Sequence, residues 1–337
     1  MKGKRQQKSK TKSNSRQKLY EHYKTIFGRE PRFGIEQKKS VLQSDMPPIT
    51  TLVFKPTDAT PFWKLCTIGA SDYLMPERDI GWGRKANRRN EYIMLIEPKA
   101  KIDEQSTEWL FFNSLLWSTA EYAFNSKENL TVSDTIDMGL DGKYCGTVIL
   151  FPEVFKSPDI VKCYISEKEY VSIFQVMPIT REQLSKKSES GADGVYRLME
   201  QFYTHDDDGN YVSSKALVEF ERDKQMLYFV NAEDRKESRS TCYFEFQKGK
   251  HKNKFWKSDS VNIAVSLWNE YELSDLFGRA VPDFGYYGIT EVRPEQWKNI
   301  LEICQNENPK GACVIEDVRK WVEECFKTDG CFTICGI

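Results

Sequence analysis

The stretch "EYIMLIEP", residues 91–98, limits the choice of fold more than any other part of the chain. Its apolar residues do not alternate with polar ones, so neither face of the strand it predicts can be left to water. Pro98 closes it. Such a strand sits inside a sheet that is covered on both sides. The neighbouring segments have the same texture. "ITTLVFKP" (49–56) is a β-branched strand closed by Pro56, and "FWKLCTIGA" (62–70) is a second strand. "GTVILFPE" (146–153) and "YVSIFQVMPIT" (170–180) are two more.

Helices are interspersed with these strands. "STEWLFFNSLLWSTAEYAF" (106–124) is the clearest, with Ser106 or Thr107 as cap and Trp109, Phe112, Leu116, Ala120 and Ala123 in one stripe. "RQKLYEHYKTIFG" (16–28) has Leu19, Tyr23 and Ile26 at helical spacing and Gly28 as its stop. Residues 180–204 are helical at both ends. The connection at 29–48 reads as irregular.

The polar, turn-rich "THDDDGNYVSS" (204–214) marks a domain boundary. Beyond it, "MLYFVNA" and "CYFEFQK" predict strands and "DSVNIAVSLWNEYELSDLF" (259–277) predicts a helix. "RPEQWKNILEICQ" is a helix with Pro294 in its first turn. "VIEDVRKWVEECFKTDG" is a helix ending at Gly330, and "CFTICGI" is a closing strand. The expected organisation is a basic disordered tail over 1–18, a mixed α+β domain over 19–205 and a smaller α+β module over 206–337.

Charge is unevenly spread. The formal net charge of the 337 residues is −1, yet residues 1–18 hold eight bases and no acid, leaving −9 on residues 19–337. A basic, flexible tail on an acidic body can make weak nucleic-acid contact or simply aid solubility. The apolar runs are too short to cross a bilayer and no apolar stretch follows the N-terminal charges as in a secretory signal, so no membrane association is expected. The nine cysteines are odd in number and scattered, as expected of reduced thiols in the cytoplasm.

The search for chemistry yields little. The three histidines, His22, His205 and His251, lie near no cysteine in sequence, and no phosphate-binding loop, nucleophile elbow or zinc-protease motif is present. Cys331 and Cys335 are spaced closest to a zinc pair, but on one face of a strand they suit packing equally well. A calcium loop framed on Gly209 fails at both ends, with Thr204 and Lys215 where carboxylates are required. Cys66 reads as the end of a buried strand turning at Gly69, not as a nucleophile. No catalytic residue, metal or cofactor is assigned.

The order of these elements resembles the suppressor-of-fused domain. The resemblance rests on the Gly69-Ala70-Ser71 loop after a strand, the acidic, Pro-ended strand from Glu91 to Pro98, the helix opening near Trp109, and the run Pro178-Ile179-Thr180-Arg181-Glu182-Gln183-Leu184 before the last helix. It covers roughly residues 35–205. Residues 210–337 do not look like the second domain of the animal protein. The resemblance implies protein binding without catalysis, and bacterial members are associated with toxin–immunity systems. The expectation is therefore an immunity protein against a bacterial toxin, such as a basic nuclease domain. Acidic surface would speed encounter with such a partner. The rival readings are an enzyme using Glu91, Glu97 and Asp72, or a nucleic-acid-associated regulator using the basic tail. Contact with a protein partner is expected on the loop "SDYLMPERDIGWGRKANRRN" (71–90), through Tyr73, Leu74, Met75 and Trp82, or in a cleft between the two domains. The alternative for those four side chains is that they fold back over the first domain.

Overall fold

The computed structural model describes residues 2–37, 46–104, 106–139, 143–152, 155, 158–189, 191–205, 211–212, 217–218, 226–237 and 241–336. The chain divides into two compact units. One comprises 1–100, 112–138 and 146–220, and the other 101–111, 139–145 and 221–337. The calcium-loop candidate Asp206, Asp208 and Gly209 lies outside the described residues.

The first unit is built from α1 (Lys2–Phe27), β1 (Phe33–Glu36), β2 (Thr50–Phe54), β3 (Trp63–Ile68), β4 (Asn90–Ile96), α2 (Thr107–Ser126, whose first residues fall in the second unit), β5 (Thr135–Asp137), β6 (Gly146–Leu150), β7 (Lys162–Tyr164), β8 (Tyr170–Ile179), α3 (Arg181–Glu189), α4 (Gly191–Met199), β9 (Thr204–His205) and β10 (Tyr211–Val212). Its main sheet runs β1-β2-β3-β4-β8-β6-β5, with β7 also on β8, and β9 pairs with β10. The β4–β8 pair is parallel and its other ladders are antiparallel. This is a mixed sheet with flanking helices, the α+β class expected.

All of β4 is buried, as its unalternating sequence requires. On one face Leu19, Tyr23 and Phe27 of α1 pack with Leu52, Phe54, Cys66, Ile93 and Leu95. Leu52 and Cys66 are cross-strand partners, as are Cys66 and Ile93, so these residues form one row across three strands. From α2, Phe112, Leu116, Ala120 and Ala123 are buried as the stripe predicts, and the Thr119 hydroxyl meets that of Thr147 on β6 at 3.2 Å. Ser106 caps the helix, its hydroxyl accepting from the Trp109 amide at 3.3 Å. At the start of α3, Thr180 and Gln183 accept reciprocally from each other's backbone N–H groups, at 3.3 and 2.9 Å. The Pro178–Leu184 run is thus a strand end followed by a capping box.

Three expectations need correction. Residues 2–18 are helical as part of α1, and the end of the expected tail is tied down. The Arg16 guanidinium donates to Asp72 at 3.0 Å and to the Pro48 carbonyl at 2.6 Å, and the Lys18 amine donates to the Ile165 carbonyl at 2.8 Å. Second, the irregular connection contains β1, paired with β2 from Phe33–Val53 to Glu36–Thr50. Third, the first residues of the expected 259–277 helix are a strand.

In the second unit, β11 (Phe229–Asn231), α5 (Ala232–Glu237), β12 (Tyr243–Lys248), β13 (Val261–Ala264), α6 (Val265–Glu270), α7 (Leu273–Ala280), β14 (Ile289–Val292), α8 (Pro294–Asn306), α9 (Pro309–Thr328) and β15 (Phe332–Cys335) follow in order. The sheet runs β11-β13-β12-β15-β14, with every ladder antiparallel. One face of β12 carries Phe244, stacked at 3.9 Å on Trp268, and Phe246, stacked at 5.4 Å on Phe332. Its other face carries Glu245 and Gln247. Gly330 takes φ +74 just past α9, the left-handed stop its position suggested.

Candidate functional site

The site grows out of the turn that follows β3. Gly69 has φ +114 and lies so close to other chain that an added Cβ would fall 2.4 Å from the Pro48 carbonyl oxygen, so only glycine fits. The Glu91 carboxylate, wholly buried on β4, accepts from the amides of Gly69 (2.8 Å) and Ser71 (3.0 Å) and from the hydroxyls of Ser71 (2.7 Å) and Thr67 (2.6 Å). Burial pushes its pKa up, and these hydrogen bonds act in the opposite direction. The Gly-Ala-Ser turn and the acidic strand that carry the resemblance are therefore two halves of one clamp.

Cys66 lies within β3, as the sequence suggests. The thiol is fully buried and desolvation raises its pKa well above the ordinary thiol value, the opposite of what a nucleophile requires. The proposed acids do not converge. Glu91 is enclosed by its four donors and Asp72 receives Arg16. Glu97 lies just past the other end of β4, six residues or roughly 20 Å along an extended chain from Glu91. Among the described residues no group of three His, Cys, Asp or Glu side chains could hold a metal ion.

From this clamp the chain runs out and back as a narrow two-armed finger. The Met75 amide donates to the Arg88 carbonyl (2.8 Å), Ala86 to Arg78 (2.9 Å) and Ile80 to Arg84 (3.0 Å), with an antiparallel bridge between Asp79 and Lys85. The base is braced from outside. Asn129, 2% exposed, donates through one side-chain nitrogen to Pro76 on the outgoing arm (3.1 Å) and Asn87 on the returning arm (3.0 Å). The Arg78 guanidinium donates to both Asp134 oxygens (2.5 and 2.9 Å) and to the Asn129 carbonyl (2.9 Å). Arg88 donates to the Met75 carbonyl at 2.5 Å. The Arg78–Asp134 pair is partly buried, charge-assisted and bidentate, the kind of contact that fixes geometry.

The tip is Gly81-Trp82-Gly83, with φ values of +86, +58 and +67. A tryptophan in the left-handed region costs about 1–2 kcal/mol. No ring contact or hydrogen bond to other described residues rewards it, and Trp82 is 94% exposed. Strain held by surrounding structure, at a side chain with no internal role, is an observation from which function is properly inferred.

The four loop residues chosen from sequence thus separate. Trp82 and Leu74 (47% exposed) face solvent, joined by Ile80 (43%), which the sequence reading omitted. Tyr73 is half-buried and packs edge-on against Phe124 at 4.8 Å. Met75 is 1% exposed; it is core, and its inclusion as a contact residue is corrected. Beside the finger base lies a polar cavity of about 430 Å³ lined by Arg78, Tyr122, Glu128, Asn129, Asp134 and Lys187, among others. Within it Arg78 is paired with Asp134. The Lys187 amine donates to the Ser133 carbonyl and the Thr135 hydroxyl, both at 2.9 Å, and desolvation lowers its pKa. The braces Arg78, Asn129 and Asp134 escaped the sequence reading because their partners lie some 50 positions away in the chain.

The sequence profile of the suppressor of fused protein family matches residues 45–213, half of the chain. The chain belongs to the suppressor of fused family. The match contains the clamp, the finger and the cavity. Solved structures of the family are similar at low identity. A suppressor of fused homologue from Neisseria gonorrhoeae is 14% identical, with 54% of this chain and 93% of that chain covered and a TM-score of 0.37. A Sufu–Fu complex gives 14%, 63% and 91%, at 0.42. Drosophila Suppressor of Fused gives 12%, 75% and 62%, at 0.39. No curated protein sequence matches. Membership of this family implies a protein-interaction module. No helix among the described residues is long and apolar enough to cross a membrane.

Proposed function

We propose that the chain is a non-catalytic, intracellular protein-binding module of the immunity type, and that it engages its partner, a toxin domain, with the finger over residues 74–88. The observation that carries this reading is Trp82, exposed, conformationally strained and set at the tip of a braced projection. Tryptophan is the residue most enriched at interface hot spots, and a rigid anchor loses little entropy on binding.

Charge refines the expected partner. The acid excess of residues 19–337 suits long-range attraction to a basic toxin. Residues 71–90, however, hold five bases against three acids, so the pocket that receives Trp82 is rimmed by carboxylates even if the toxin as a whole is basic. Co-expression with the product of the gene adjacent to this one is the test. The wild-type chain restores growth of cells expressing that toxin, whereas Trp82→Ala weakens binding by about thirtyfold or more and fails to protect, with an unchanged melting temperature. Protection by Trp82→Ala equal to that of the wild type overturns the assignment of the finger, and no protection by either overturns the immunity reading.

A further inference from the structure

The second unit carries a loop with a different chemistry. Between β12 and β13, "KGKHKNKFWK" (248–257) places five lysines and a histidine in ten residues with no acid, in a chain whose net charge is −1. We propose that this loop is a binding surface for single-stranded nucleic acid, with its lysines on the phosphates and Phe255 as a platform for a base.

The loop is held, not loose. It folds back over the polar face of β12, where the buried Glu245 carboxylate accepts from the amides of Trp256 and Lys257, both at 2.7 Å. The Gln247 amide donates to the Lys254 carbonyl at 2.8 Å, and its oxygen lies 3.2 Å from His251 Nδ1. Trp256 is held at φ +59, in the left-handed region, with the Arg235 guanidinium 4.1 Å above its ring. A bulky residue adopts that conformation only where its surroundings impose it.

What the fixed loop presents outward is charge and one aromatic face. Lys250, Lys252 and Lys254 are exposed. The Lys252 and Lys254 amines form no ion pair with described residues, and Lys250 reaches only Glu291, at 4.0 Å. Phe255 is 48% exposed, with its ring 4.9 Å from the His251 ring. The two rings are tilted by 49°, and the exposed part of the Phe255 ring is available to a base. Unpaired lysines around such a ring match the two elements of single-strand binding, an electrostatic track and a stacking platform.

Fluorescence anisotropy of the full chain with labelled oligouridylate and oligodeoxythymidylate of about 12 nucleotides, between about 50 and 200 mM salt, tests this. The wild type binds with a steep salt dependence. The Lys252→Gln, Lys254→Gln double variant lowers the magnitude of the log–log salt slope by about 1.4, at about 0.7 per phosphate contact on a single strand. Phe255→Ala weakens binding about tenfold with the slope retained. All three side chains are exposed, so melting temperatures stay unchanged. Absence of binding at the low salt concentration overturns the proposal. So does binding that these variants leave untouched, which would place it elsewhere, as on the basic start of α1. Binding to phosphatidylserine vesicles without binding to the strands overturns it equally.

Discussion

Removal of the Glu91 carboxylate is the sharpest test of how the finger is rooted. In Glu91→Ala, four buried donors lose their acceptor. The Thr67 hydroxyl keeps an alternative in the Tyr92 carbonyl at 3.2 Å, which leaves the Gly69 amide, the Ser71 amide and the Ser71 hydroxyl. At about 1–3 kcal/mol for each orphaned buried group, the loss is at least about 3 kcal/mol, or roughly 6–12 °C of melting temperature for a unit of this size. Glu91→Gln keeps an oxygen for those three donors and stays within about 1 kcal/mol of wild type near neutral pH. The wild type also differs from both variants in pH dependence. Burial raises the folded-state pKa of Glu91, so its contribution is fully present below the unfolded value and declines as pH rises through the folded one. The wild type's stability relative to Glu91→Gln is therefore greatest in acid and falls towards neutrality. Urea denaturation across that range measures both effects. A loss below about 1 kcal/mol in Glu91→Ala would refute the clamp.

Two further outcomes test other contacts of the first unit. Lys64, buried and donating to the Lys55 and Thr60 carbonyls at 3.0 and 2.9 Å, has its pKa lowered to about 8 by desolvation; the folded state releases its proton first, so this residue makes stability rise as pH increases from about 8 towards the ordinary lysine value, and melting curves of Lys64→Met at pH values on either side of 8 show a smaller rise than the wild type. Deleting residues 1–18 removes the Arg16 and Lys18 contacts and lowers the melting temperature by several degrees, and Arg16→Ala alone reproduces part of the loss; an unchanged melting temperature in both would show that this part of α1 contributes nothing to the first unit.

Much of this architecture is legible in local sequence, and the exceptions have specific causes. The strands closed by Pro56 and Pro98 and the Trp109–Ala123 stripe announce themselves because burial and period are local signals. The β1 strand does not, since "FGIE" is four residues long, half-exposed, and defined by its ladder to β2. The β13 strand is hidden for another reason. "VNIAVSLW" has only Asn262 and Ser266 among its apolar residues, and the chain passes from extended backbone at Ala264 into α6 with no capping side chain to mark the change. Its ladders to β11 and β12, which the segment itself does not announce, make it a strand. The finger was placed correctly as a loop, but Met75 and Trp82 look alike in sequence. What separates them is Asn129 and Asp134, some fifty residues later, bracing the arms so that one side chain turns in and the other out.

A subtler signal was present and unused. Two strands, "EYIMLI" and "CYFEFQ", each carry one acid among apolar residues, and a buried acid must find donors. Glu91 finds them in the turn beneath the Trp82 finger, and Glu245 in the loop that carries Phe255. In both units the carboxylate does for a turn or loop what a second ladder would otherwise do, fixing backbone amides that have no strand to pair with. An isolated acid in a strand that should be wholly apolar therefore points to a shaped loop nearby, and in this chain both such loops hold an exposed aromatic side chain.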